Sequence, residues 1–204
     1  MKLTKRHALL ISGLAILMAL CTIAGATLAY LFVQTPPVTN TFSPSNIGLT
    51  LEETNVDGNS ATENSYQMVP GVDIAKDPKV TVTADVDCYV FVKVEKANEF
   101  DTYMSYDPAS GWTLVPNTDN VYYRTVTAAE AKNGKSFYVL AGDTANPNGI
   151  VTVKTSVTKG QMDALKTAGT GSYPTLKFTA YAVQQAGMSS PADAWTAAQG
   201  LKTN

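Results

Sequence analysis

The chain has 204 residues, a formal charge of −2, 45% hydrophobic residues, two cysteines and one histidine. That length suits a single domain with its own core, and the charge balance offers none of the basic surface that nucleic-acid binding relies on. The lone histidine, His7, excludes the imidazole sets of zinc hydrolases and of Ser-His-Asp or Cys-His nucleophile systems.

Lys2, Lys5 and Arg6 precede an uncharged run over residues 8–33, which carries the small-residue stretch Ala24-Gly-Ala-Thr-Leu-Ala29. A basic start, an apolar middle and a small-x-small end form an export signal over residues 1–29. Thr27 and Ala29 fit the narrow pockets of a signal peptidase, placing the cut between Ala29 and Tyr30, with Ala26 or Tyr30 as alternative cut sites. Retention as a membrane anchor is the competing reading, because residues 8–33 exceed the roughly 20 needed to span a bilayer. Cleavage removes His7 and Cys21. It also removes three positive charges and no acid, so the formal charge moves from −2 to −5. Cys21 is a poor lipoprotein cysteine, since Leu20 stands where a small residue is wanted, and with it gone no intramolecular disulfide remains.

Residues 30–45 read as an extended segment leading into a domain over 46–204. Asn46 to Leu51 alternates Ile47, Leu49 and Leu51 as a strand. Asn55 to Glu63 places oxygen ligands near a glycine but lacks the alternating acids and the bidentate Glu of a calcium loop, so it reads as a solvated hairpin loop. Pro70 and Gly71 form a tight turn, because proline fixes φ and glycine permits positive φ. In Lys76-Asp77-Pro78 the residue before proline is held extended.

Val80 to Ala84 alternates with threonine. Cys88, Val90, Val92 and Val94 share one face of the next strand, with Tyr89, Phe91 and Lys93 on the other. The short Asp85-Val-Asp87 connection makes these two strands a predicted hairpin. Cys88, in a strand, reads as a small buried hydrophobe. Further strands are expected at Trp112–Val115, Val121–Val126, Ser136–Leu140, Ile150–Ser156 and Thr175–Val183. In the last of these, Leu176, Phe178, Ala180 and Ala182 face inward.

Two helices decorate this β pattern. The first runs over Thr158–Thr167, capped by Thr158, turning Met162 and Leu165 inward and closed by Gly169. The second follows Ser190 as N-cap, with Pro191 at the first helical position, Asp193 near the positive end of the dipole and Gly200 as terminator. Its Trp195 packs the helix onto the strands; an exposed ligand-stacking tryptophan is the alternative. Asp101, Asp107, Asp119 and Asp143 are scattered turn residues. No catalytic residue, cofactor site or metal site emerges.

Three stretches carry a family likeness: Gly25-Ala-Thr-Leu-Ala-Tyr30, Val38-Thr-Asn-Thr-Phe-Ser-Pro-Ser-Asn-Ile-Gly-Leu-Thr-Leu51, and Met68-Val-Pro-Gly-Val-Asp-Ile-Ala-Lys-Asp-Pro-Lys-Val-Thr-Val82. Their order resembles the TasA and camelysin family, proteins of Gram-positive bacteria exported through the signal peptidase SipW. The likeness covers residues 20–95 by motif and the remainder by β character. It implies a jelly-roll subunit of extracellular biofilm fibres whose mature N-terminal segment adds a strand to a neighbouring subunit. Here that segment is Tyr30-Leu-Phe-Val-Gln-Thr-Pro-Pro37, in which Tyr30, Leu31, Phe32 and Val33 form the subunit interface. Pro36 and Pro37 lack an N–H and limit the donated strand to residues 30–35. The camelysin side of the family implies a metalloprotease, for which a zinc site would have to use carboxylates and Cys88.

The combined expectation is an all-β chain: an antiparallel jelly-roll-like β-sandwich with a short C-terminal helix, preceded by an N-terminal signal or transmembrane helix. Its expected role is that of a secreted matrix or fibre subunit that self-associates, meets a signal peptidase during export, touches membrane only through its N-terminal helix, binds no nucleic acid, and has no cofactor and no enzymatic activity. The alternative is a surface-anchored binding module using the loop aromatics Trp112, Tyr122 and Tyr123.

Overall fold

The computed structural model describes residues 9–16, 18, 45–53 and 64–200. The chain divides into two compact units between Ser43 and Pro44. In the first, residues 9–16 form helix α1, with Leu9, Leu10, Ile11, Leu14 and Ile16 all exposed. Among the described residues no helix is long and apolar enough to cross a membrane. The expected cleavage site at Ala29 and Tyr30, the interface residues Leu31, Phe32 and Val33, and the Asn55–Glu63 loop lie outside the described residues.

The second unit is mostly β, in three antiparallel sheets. Its strands are β1 (Ile47–Glu52), β2 (Asp73–Ala75), β3 (Lys79–Ala84), β4 (Cys88–Ala97), β5 (Met104–Ser105), β6 (Thr113–Leu114), β7 (Val121–Val126), β8 (Lys135–Tyr138), β9 (Ile150–Val153) and β10 (Thr175–Gln184). The first sheet has the order β1-β3-β8, the second β10-β4-β7-β6 and the third β2-β9-β5. Helices α2 (Phe100–Tyr103), α3 (Ala128–Ala131), α4 (Lys159–Ala168) and α5 (Pro191–Gly200) sit in the connections and at the C-terminal end.

The period of two does what alternation predicts. Val80, Val82 and Ala84 of β3 and Cys88, Val90, Val92 and Val94 of β4 meet in one apolar core, joined by Val151 and Val153 of β9. Leu176, Phe178 and Ala180 of β10 pack against the same core. Ile47, Leu49 and Leu51 of β1 are only half-buried there, as suits a strand at the end of its sheet.

The second sheet is covered on its other face too. Phe91, Val115, Val121 and Val183 form a second cluster with Ala194, Trp195 and Ala198 of α5. Phe91 and Trp195 have ring centroids 5.5 Å apart, and Tyr181 meets the indole edge-on at 5.1 Å. Each such pair adds about 0.5 to 1.5 kcal/mol beyond its area. Trp195 is 7% exposed, so it is a packing residue and not a ligand platform. Ser190 Oγ accepts from Asp193 N at 3.1 Å, as an N-cap does.

Helix α4 also begins where its cap residue places it. Thr158 Oγ1 accepts from Gln161 N, Gln161 Oε1 accepts from Thr158 N, and Gly169 N returns to Leu165 O at 3.0 Å. This reciprocal capping box satisfies donors that the first turn leaves open.

One sequence expectation is overturned. β3 and β4 are not a hairpin, because they belong to different sheets: β3 pairs with β1 and β8, whereas β4 pairs with β10 and β7. The two aspartates of the connection explain the split. Asp85 Oδ1 accepts from Asn46 N at 2.9 Å, just before β1. Asp87 Oδ1 accepts from Ala128 N at 2.7 Å, just after β7, and its carbonyl accepts from Gln185 N at 2.9 Å, just after β10. Each carboxylate is thus fixed to a different sheet, and the three residues form an arch between layers.

Candidate functional site

β1 and β10 are the end strands of their sheets and lie against each other along one margin of the domain. Where the last residues of β1 meet the first of β10, a groove of about 910 Å³ opens, lined by Leu51, Met68, Ile74, Phe100, Leu176 and Phe178. End strands present unpaired backbone groups and are the places where a sheet can accept another strand.

Polar side chains line it too, and three of them, Lys76, Glu53 and Asn64, bond to one another. Lys76 Nζ donates to Glu53 Oε1 at 2.7 Å, and Asn64 Nδ2 donates to Glu53 Oε2 at 2.8 Å. The Lys76 and Glu53 side chains are only 11% and 12% exposed. The ammonium also sits 5.2 Å from the Tyr66 ring centroid and 5.6 Å from that of Phe178. Ring faces attract a cation, most of all where water is excluded. Asn64 Oδ1 is buried and accepts no hydrogen bond. The backbone positions the lysine: it follows β2, and its N–H donates to Gly149 O at 3.0 Å. Burying such a pair is costly, and removing one partner alone typically costs about 3 to 5 kcal/mol.

Pro70 and Gly71 form the expected tight turn. Val72 N donates to Val69 O at 3.0 Å and Gly71 has φ 78°. The turn leads into β2, a short strand that precedes β3, and Gly71 N donates to Val153 O at 2.9 Å, which seats the turn on β9.

Cys88 has no exposed surface, and burial followed by the nearby Asp87 charge pushes its thiol pKa up. A thiol held in its neutral form is a poor nucleophile. Native protein is therefore expected to leave Cys88 unmodified by a thiol-directed aromatic disulfide at neutral pH, with full reaction after denaturation. Rapid reaction of the native protein would contradict the packing.

The loop aromatics of the binding-module reading are placed differently from that expectation. Trp112 is 8% exposed, and its Nε1 donates to Tyr138 O at 2.8 Å. Arg124 covers it, the guanidinium carbon lying 5.4 Å from its ring and 4.4 Å from that of Phe137. Tyr122 and Tyr123 lie on β7, half-buried against opposite cores. Alternation along the strand sends them to the two faces, so they do not form a common platform.

The scattered aspartates stay scattered: Asp143 Oδ1 accepts from Asn146 N at 2.5 Å as a turn residue, and Asp101 pairs with Lys96 at 2.8 Å. Among the described residues no group of three or more His, Cys, Asp or Glu side chains is placed to hold a metal. Lys76 enters the sequence reading only as part of an extended step. Glu53 and Asn64 carry no local signal, because the three meet only through the fold.

Comparison with known protein families, curated proteins and solved structures found no match to this chain.

Proposed function

We propose that the chain is an exported structural subunit, a jelly-roll-like β-sandwich that assembles with further copies of itself by strand addition in an extracellular matrix or fibre. The observation that carries this reading is the margin where two end strands lie together over an apolar groove. An incoming extended segment there would pair its backbone with an end strand and lay apolar side chains in the groove. Residues 30–35 are the proposed donor, freed when export removes residues 1–29, and the exposed apolar helix α1 suits the core of an export signal. The resemblance to the TasA and camelysin proteins points the same way. The role requires no catalysis, and the rival binding-module reading loses support from the burial of Trp112.

Burying Leu31, Phe32 and Val33 contributes roughly 5 to 8 kcal/mol before ordering costs. Deleting residues 30–37, or Phe32→Asp, is therefore expected to leave a folded monomer where the exported wild type forms large assemblies. Size-exclusion chromatography and electron microscopy read the difference. A wild type that stays monomeric at high concentration, or a deletion that assembles equally well, would refute strand donation.

A further inference from the structure

The groove contains an arrangement that strand addition does not use. A carboxylate that holds an amine on one oxygen and a carboxamide on the other brings together a nucleophile, an electrophile and a proton carrier. Glu53 does this with Lys76 at 2.7 Å and Asn64 at 2.8 Å. We propose that Lys76 and Asn64 join through an intramolecular isopeptide bond, with Glu53 moving the protons.

The balance is simple. Lys76 Nζ passes a proton to Glu53 along their hydrogen bond, exposing a lone pair that attacks Cγ of Asn64. The carbonyl electron pair moves onto Oδ1, giving a tetrahedral centre. That pair then re-forms the carbonyl, the Cγ–Nδ2 bond breaks, and Nδ2 takes protons delivered through Glu53 from Nζ. Lysine ammonium and asparagine carboxamide become a secondary amide and an ammonium ion, and Glu53 returns to its carboxylate. Nothing is oxidised or reduced, and no co-reactant is required.

Two features of the surroundings favour reaction over a static ion pair. Asn64 Oδ1 is buried with no hydrogen-bond donor, so its carbonyl is open to a proton from the carboxylic acid at the moment negative charge develops there. The rings of Tyr66 and Phe178 flank the amine at 5.2 and 5.6 Å and keep bulk water from competing for it. The backbone bond from Lys76 N to Gly149 O holds one reactant in place, and restricting reactants in this way is what makes side-chain amide formation feasible.

The product would cross-link residues 64 and 76 and close a loop around the Pro70-Gly71 turn. A cross-link of that span raises the thermal midpoint by roughly 5 to 10 °C in a domain of this size.

The test is mass spectrometry on the denatured full chain, followed by digestion with a protease that cuts before aspartate. Cutting before Asp57, Asp73 and Asp77 releases peptides 57–72 and 73–76. The bond holds these two together as one branched species, lighter than their sum by one ammonia, about 17 Da. Glu53→Gln, Asn64→Ala and Lys76→Arg are each expected to yield separate peptides, and circular dichroism reports whether each variant folds. Two separate wild-type peptides of unchanged mass would overturn the proposal. So would the same mass loss on 57–72 alone, which marks a succinimide at one of its asparagines, Asn59 or Asn64. A branched species that survives Glu53→Gln would overturn the role of Glu53.

Discussion

Replacing Phe91 with alanine is expected to remove about 3 to 5 kcal/mol of stability, a large fraction of the roughly 5 to 15 kcal/mol that holds a domain of this kind together. Phe91 has no exposed surface and stands on the outward face of β4, where its ring meets Trp195 of α5 at 5.5 Å and Tyr123 of β7 at 6.3 Å. Truncation empties part of the second cluster and leaves the indole with Tyr181 as its remaining ring neighbour. The loss is read by urea denaturation followed by circular dichroism, with tryptophan fluorescence reporting on the C-terminal helix. Trp195→Ala is expected to lie in the same range. A loss below about 1 kcal/mol for both would mean that α5 is not seated on the sheet.

Gly149→Ala is expected to be at least as damaging, for a different reason. Gly149 has φ 144°, and a Cβ there would lie 2.3 Å from Lys76 O and 3.0 Å from Leu140 Cβ. The closest atom is backbone, so no rotamer change relieves the overlap. The strand preceding Lys76 and the start of β9 would have to separate, taking with them the bond from Lys76 N to Gly149 O at 3.0 Å. We expect a loss above about 3 kcal/mol or failure to accumulate as folded protein. Gly160→Ala is the control. It lies in α4 with only Thr158 Oγ1 near the added methyl, at 4.0 Å. There the change is expected to stabilise by about 0.4 to 1 kcal/mol through the unfolded state. Thermal melts of the two variants should move in opposite directions; parallel behaviour would contradict the placement of Gly149.

Much of the fold is legible in the sequence because burial and alternation coincide. Val121–Val126 is a strand with the boundaries the alternation predicts, and Cys88, Val90, Val92 and Val94 turn inward together. The cap residues Thr158 and Ser190 mark their helices for the same local reason. What alternation cannot specify is the partner. Asp85-Val-Asp87 has the length of a hairpin turn, and only the distant hydrogen bonds to Asn46, Ala128 and Gln185 make it an arch. The strands β2 and β5 are too short to show a period. Helix α3 is equally short, but Thr127 and Glu130 form a capping box that was there to be read. The Glu53-Asn64-Lys76 cluster is invisible to spacing arguments, since each residue comes from a different part of the chain.

The arch also governs how the core can breathe. Ala84 and Cys88 are four Cα steps apart, a reach of at most about 14 Å against the roughly 10 Å at which two facing sheets pack. The connection therefore leaves only a few ångströms of slack, and the layers cannot part far at that end without unpicking a strand. The far end is different: there Glu52 pairs with Lys79 and Thr175 with Ala97. At that end Lys76 reaches across, bonded to Glu53 beyond β1 and poised over Phe178 of β10. One side chain thus ties the two end strands there, the latch of a box whose hinge is Asp85-Val-Asp87.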